Sequence, residues 1–226
     1  ETATAGDVLA FDLTVVDRFD NPVPAEHLLT VELRDTTTAV LESTSLAGAT
    51  AGGLGATGTT DAAGTATVTV QGTVAEALQL CVGGAALAGG EACHAITYAP
   101  AAADHLTLVP SVEDPIAGEA VQVTVQVRDV YGNPVAAAVD VRLAVTGSAL
   151  FVGAGAASVE LVTDAASGQA MVEVVDDDAE TVTITVEGAD LEGTPLPAAV
   201  PHDELVLPFT PGVPDHVALA APERAV

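Results

Sequence analysis

Val121, Val123, Val125 and Val127 alternate with Gln122, Thr124, Gln126 and Arg128, and nothing in the chain constrains its fold more. Side chains separated by two residues share a face only in an extended strand, so this stretch predicts a strand with one buried and one solvated side. Residues 8–17 repeat the pattern with Leu9, Phe11, Leu13 and Val15. Further runs of the same kind lie at 28–35, 65–70, 77–82, 139–145, 169–174 and 181–188, separated by turn-forming residues. No stretch carries a capped helical period. The expected fold class is therefore all-β, and the available side chains make its core thin: Ala, Val, Thr and Gly dominate, with four Phe, two Tyr and no Trp.

The strands come in two matching sets. "VVDRFDNPVP" at 15–24 returns as "VRDVYGNPVA" at 127–136, and the two pairs Asn21-Pro22 and Asn133-Pro134 contain the only asparagines in the chain. Each pair marks the corner at which a unit turns after an early strand. Proline is tolerated there because the ladder has ended and its missing N–H is not required. Asp20 and Gly132, just before it, are suited to the turn conformation. Other strands match in the same order: 28–35 with 139–145, 65–70 with 169–174, and 77–82 with 181–188. Self-similarity at this spacing identifies an array of structural units.

Charge narrows the setting. Five basic residues, all Arg, face 32 acidic ones, a formal charge of −27. Nucleic acid and anionic membranes are repelled by such a chain, which is suited to a salty or calcium-rich exterior. The longest uncharged stretch, 43–60, is too rich in Gly, Ser and Thr to span a bilayer, and no leader-like segment opens the sequence. The chain reads as the mature part of something larger. Cys81 and Cys93 flank a glycine-rich connection between two strands, a placement that suits a cross-strand disulfide formed in an oxidising compartment. Two separate buried thiols are the alternative.

The corner sequences, followed in both halves by "TTDAAGTATVTV" (59–70) or "VTDAASGQAMVEV" (162–174), resemble the bacterial immunoglobulin-like domains of the invasin and intimin group. The resemblance covers nearly the whole chain. It implies tandem immunoglobulin-like β-sandwiches that serve as the extracellular stalk of a bacterial surface adhesin. The implied layout is a first sandwich over 1–100, a second over 101–212, and the first strand of a following repeat over 213–226. "ADHLTLVP" (103–110) opens the second sandwich and "PDHVALAAP" (214–222) opens the third, while the first has no such opening. Either the chain is a window of a longer array, or its trailing strand (His216, Val217, Ala218, Leu219 and Ala220) completes the first sandwich of another copy by strand addition. The expected partners are thus neighbouring repeats or copies. Proline in "YAPAAADH" (98–105) and "FTPGVPDH" (209–216) predicts stiff connections and a semi-rigid rod.

Chemical motifs are sparse. "GLGATG" (53–58) matches a dinucleotide-loop pattern but runs into a strand instead of a helix, which that function requires. His27, His94, His105, His202 and His216 are scattered without zinc-site spacing. No nucleophile and base can be paired, so no enzyme activity and no cofactor are expected. The acidic run 176–180 is the best place for a metal, with Asp176, Asp177 and Asp178 as candidate oxygen ligands for calcium. The leading functional expectation is a structural repeat of an extracellular filament or stalk. An adhesive module whose loops bind a host protein or glycan is the alternative.

Overall fold

The computed structural model describes residues 1–191, 194–195 and 204–215, and all regular structure among them is β. The chain divides into two compact units, the first formed by Glu1–Asp104 and Arg128–Val135, the second by His105–Val127 and the described residues from Ala136.

The first unit contains β1 (Thr2–Thr4), β2 (Val8–Thr14), β3 (Leu28–Arg34), β4 (Val40–Thr44), β5 (Gly55–Thr59), β6 (Thr65–Gln71), β7 (Ala77–Gly83) and β8 (Ala92–Ala99). They form a five-stranded sheet, β1-β8-β7-β3-β5, and a three-stranded sheet, β2-β6-β4. All described pairings are antiparallel except β1 with β8, where Thr2 pairs with Thr97. Alternation accounts for the layering. In β3, Leu29, Val31 and Leu33 are buried while Leu28, Thr30, Glu32 and Arg34 face solvent. Val68 and Val70 of β6 belong to the same core as Val31, Leu80 and Ile96 of the larger sheet. Each such Val or Leu contributes roughly 1.5–3 kcal/mol by leaving water. Tyr98 ties the two layers: its ring is buried and its hydroxyl donates to the Val70 carbonyl at 3.1 Å. Burial raises the Tyr98 pKa above the ordinary phenol value.

The second unit is built on β9 (Ala103–Pro110), β10 (Val121–Asp129), β11 (Asp140–Val145), β12 (Leu150–Phe151), β13 (Ser158–Val162), β14 (Gln169–Val175), β15 (Thr181–Leu191), β16 (Thr194–Pro195) and β17 (Leu205–Pro208). One sheet has the order β12-β14-β10-β9; the other runs β13-β11-β15-β16, with β17 also paired to β15. Val121, Val123, Val125 and Val127 are all buried, as are Leu143, Phe151, Val174, Ile184 and Leu207. The all-β reading therefore holds, and β2–β6 and β3–β7 pair antiparallel as β10–β14 and β11–β15 do.

Cys81 and Cys93 are bonded to each other and sit directly opposite in the β7–β8 ladder. Only the first unit has a disulfide, because the chain has no other cysteine. Closing a loop with a sequence separation of 12 restricts the unfolded chain and contributes about 3 kcal/mol. Reduction is expected to weaken the first unit by about that amount and leave the second unchanged, as read by hydrogen exchange resolved along the sequence. Equal loss of protection in both units would contradict this.

Candidate functional site

Three features stand out among the described residues: the repeated corner, an open strand edge and an acidic turn.

The corner is built twice on the same plan. The Asp17 carboxylate accepts from the backbone N–H groups of Phe19 (2.8 Å) and Asn21 (3.0 Å) and from the Asn21 amide. Asp129 does the same for Tyr131 (2.9 Å), Asn133 (2.8 Å) and the Asn133 amide (2.8 Å). Asp20 and Gly132 both adopt the left-handed conformation, at φ 63° and 84°. Isolated bridges from Val16 to Pro22 and from Arg128 to Pro134 close the two loops. Hydrogen bonds to the Asn21 side chain and backbone hold the Asp17 pKa below the ordinary value. At Asp129 burial pushes upward, but bonds from Asn133, Ala101 and Tyr131 together outweigh it and the net shift is downward.

The two corners differ in what surrounds them. Within the first unit, the Asn133 amide donates to the Thr73 carbonyl at 2.8 Å and its oxygen accepts from the Ala75 N–H at 2.9 Å. Asp129 also accepts from the Ala101 N–H at 2.8 Å, and Asp129 and Asn133 are both buried. Asn21 bonds to Asp17 and is exposed, beside a Phe19 ring that is 67 % exposed and capped by the Arg18 guanidinium 4.4 Å from its centroid.

The strand edge is the second contrast. In the second unit β9 lies beside β10, with Leu106 and Leu108 buried. In the first unit β2 is itself an edge strand of its sheet. Ile116 bridges Thr210 in parallel, as β1 pairs β8, so the segment before β10 has its counterpart in β1, while β9 has none among the described residues. The side chains register the difference: Leu9, Phe11 and Leu13 are part-exposed, whereas their counterparts Val121, Val123 and Val125 are buried. Phe11 leans edge-on against His94, with ring centroids 5.5 Å apart. The expected donor strand, His216, Val217, Ala218, Leu219 and Ala220, lies outside the described residues, as does His202.

At the acidic turn, Asp176 and Asp178 come together with two residues that the sequence reading did not single out. The Ser148 hydroxyl lies 2.7 Å from Asp176 Oδ1, 3.0 Å from Asp178 Oδ2 and 3.0 Å from Glu180 Oε1. Asp177 is exposed and makes none of these bonds. Proximity to Ser148 could not be read locally, since it arises across a sequence separation of 28 to 32 residues. A second grouping, Cys81 with Glu91 and Cys93, is no metal site while the sulfurs are bonded to each other.

No family model and no curated protein matches the chain. Solved structures similar to it include invasin, a bacterial integrin-binding protein, at 18 % identity and TM-score 0.38 over 95 % of this chain and 38 % of invasin. Yersinia pseudotuberculosis InvD is 18 % identical with TM-score 0.41, covering 97 % of this chain and 58 % of InvD. The D00-D0 domain of intimin is 13 % identical with TM-score 0.40, covering 91 % and 94 %. The chain thus spans well under half of the invasin chain that it matches.

The asymmetry of the corners sets an expectation for mutation. Asn133→Ala removes the partners of part-buried backbone groups at Thr73 and Ala75, and is expected to destabilise the first unit by about 1–3 kcal/mol. Asn21→Ala, at an exposed corner, is expected to cost less than about 0.5 kcal/mol. Denaturant midpoints of the two variants check this, and equal costs would contradict it.

Proposed function

We propose that this chain is a non-catalytic structural repeat of an extracellular bacterial filament or adhesin stalk, whose units are completed by a strand from a neighbouring repeat or copy. The observation that carries the reading is the difference between β2 and β10. The same strand in the same sandwich is covered by β9 in one unit and forms an edge in the other, where its inward side chains are left half-buried. An unpaired row of N–H and C=O groups beside exposed apolar side chains is a template for another strand.

The covering strand has a recognisable chemistry. β9 buries Leu106 and Leu108 of "DHLTL", and residues 215–219 read "DHVAL", with Val217 and Leu219 at the matching positions. The exposed corner at Phe19 and Asn21 supports the same reading, because the matching surface at Asn133 is occupied by backbone groups of Thr73 and Ala75. An array explains both unfilled surfaces of the first unit together. The alternative, an adhesive module, draws on the exposed Arg18–Phe19 pair, since Arg and aromatic residues are favoured as binding anchors. An array accounts for that ring as well: its counterpart Tyr131 lies over Gly6, with its hydroxyl in the space that a β-carbon on that glycine would take.

Extracellular placement is supported by the disulfide and by the formal charge of −27. Among the described residues no helix is long and apolar enough to cross a membrane.

A synthetic peptide of residues 214–222 tests strand completion. Added in excess to the full chain, it is expected to slow hydrogen exchange at the β2 amides that β6 does not use and to raise the melting temperature of the first unit. A peptide with Val217 and Leu219 replaced by Asp is expected to do neither. Unchanged β2 exchange at saturating peptide would overturn the strand-completion reading.

A further inference from the structure

We infer that the acidic turn of the second unit is a calcium site formed by Asp176, Asp178, Glu180 and the hydroxyl of Ser148. The inference is independent of the strand-completion reading, because it concerns the turn after β11 and the loop between β14 and β15.

The first unit shows what this corner needs for folding alone. Asp35 and Gly147 occupy matching places and both are left-handed, at φ 62° and 71°. The next residue in each unit is a hydroxyl, Thr36 or Ser148, and it meets a matching glutamate, Glu76 or Glu180. In the first unit the pair is complete: Thr36 and Thr38 both donate to Glu76 Oε1. The residues two and four places before Glu76 are Val74 and Gly72, and neither adds charge. The hydroxyl-to-glutamate link is therefore the structural device, common to both units.

The second unit adds two carboxylates to that device. Asp178 and Asp176 stand where Val74 and Gly72 stand in the first, and each places an oxygen within 3.0 Å of the Ser148 hydroxyl. Glu180 Oε1 is already held by the Ser148 N–H at 2.6 Å. A serine hydroxyl has one proton and can donate to one carboxylate at a time. Three carboxylates on one hydroxyl leave like charges facing one another and facing oxygen lone pairs, an arrangement that disfavours the fold unless a cation joins it.

A second observation points the same way. Asp176 is only 1 % exposed, and its Oδ2 is cut off from solvent without a hydrogen-bond partner. A buried carboxylate oxygen without a donor is strongly unfavourable, and a metal ion satisfies it directly. Its other oxygen already accepts from the Asp178 N–H at 3.0 Å and lies 2.7 Å from the Ser148 hydroxyl. The Asp176 side chain thus meets the cluster through Oδ1, and its buried Oδ2 is left without a donor. Asp177 is exposed and stays outside the ligand set.

Calcium is the ion the donors select. All four are hard oxygens, three of them anionic, supplied by two separate loops, a donor set that suits the irregular shell of calcium better than the strict octahedron of magnesium. The oxygens are splayed around the hydroxyl, more widely than in a closed metal cage. Entry of the ion draws them to the 2.3–2.6 Å typical of calcium–oxygen ligation, with Ser148 Oγ turning to join as a neutral ligand. Binding would fasten the β14–β15 loop to the turn after β11.

Calorimetric titration of the full chain with calcium chloride in 150 mM sodium chloride tests the site. The expected result is one ion per chain and a rise in the melting temperature of the second unit, with the first unit unchanged. Asp178→Asn, at an exposed position, is expected to retain the wild-type circular dichroism and weaken binding at least tenfold. Glu180→Gln is expected to weaken binding likewise. Absence of both heat and thermal shift at 10 mM calcium would overturn the inference, as would full-affinity binding by the folded Asp178→Asn protein.

Discussion

A sheet strand satisfies its backbone on two edges and its side chains on one face, and the structure of this protein follows from how each of those sides is covered. Faces are covered by alternation. The side chains available are mostly Val, Leu and Ala, so two sheets must lie against one another with every inward position filled. Edges are covered by neighbouring strands, and here the two units part company. β10 has β14 on one side and β9 on the other, while among the described residues β2 pairs with β6 alone. With so few aromatic residues to fill gaps, the edge position of β2 leaves Leu9, Phe11 and Leu13 part-exposed.

The repeated corner depends on the same constraint. A strand that leaves its ladder must satisfy its last backbone groups locally, and Asp17 and Asp129 do so by gathering N–H donors from the turn that follows. The left-handed residue before the asparagine lets the chain reverse within the loop, and proline follows where no ladder donor is needed. Once that motif exists, its asparagine side chain has capacity to spare. Asn133 uses it on Thr73 and Ala75, whereas Asn21 has only Asp17 among its described partners.

Much of this was legible in the sequence because it is local and periodic. The valine ladder of β10, the matching of strand sets and the turn-forming character of Asp20 and Gly132 all follow from neighbours along the chain. The contacts that give the protein its particular character are not local. Tyr98 bonding to Val70, and Ser148 drawing in Asp176, Asp178 and Glu180, join residues separated by 28 to 32 positions. Composition flagged the acidic run, but it could not separate Asp177 from its two neighbours or nominate a serine on another loop. Part-exposure of β2 was equally invisible, because its alternation is as regular as that of β10. Only pairing tells an edge strand from a central one.

The proposed role is that of a building block whose purpose is reach, and electron microscopy of the native material tests it. Beaded filaments of uniform width, with beads the size of a single sandwich, are the predicted result. Isolated compact particles with no linear order would contradict it.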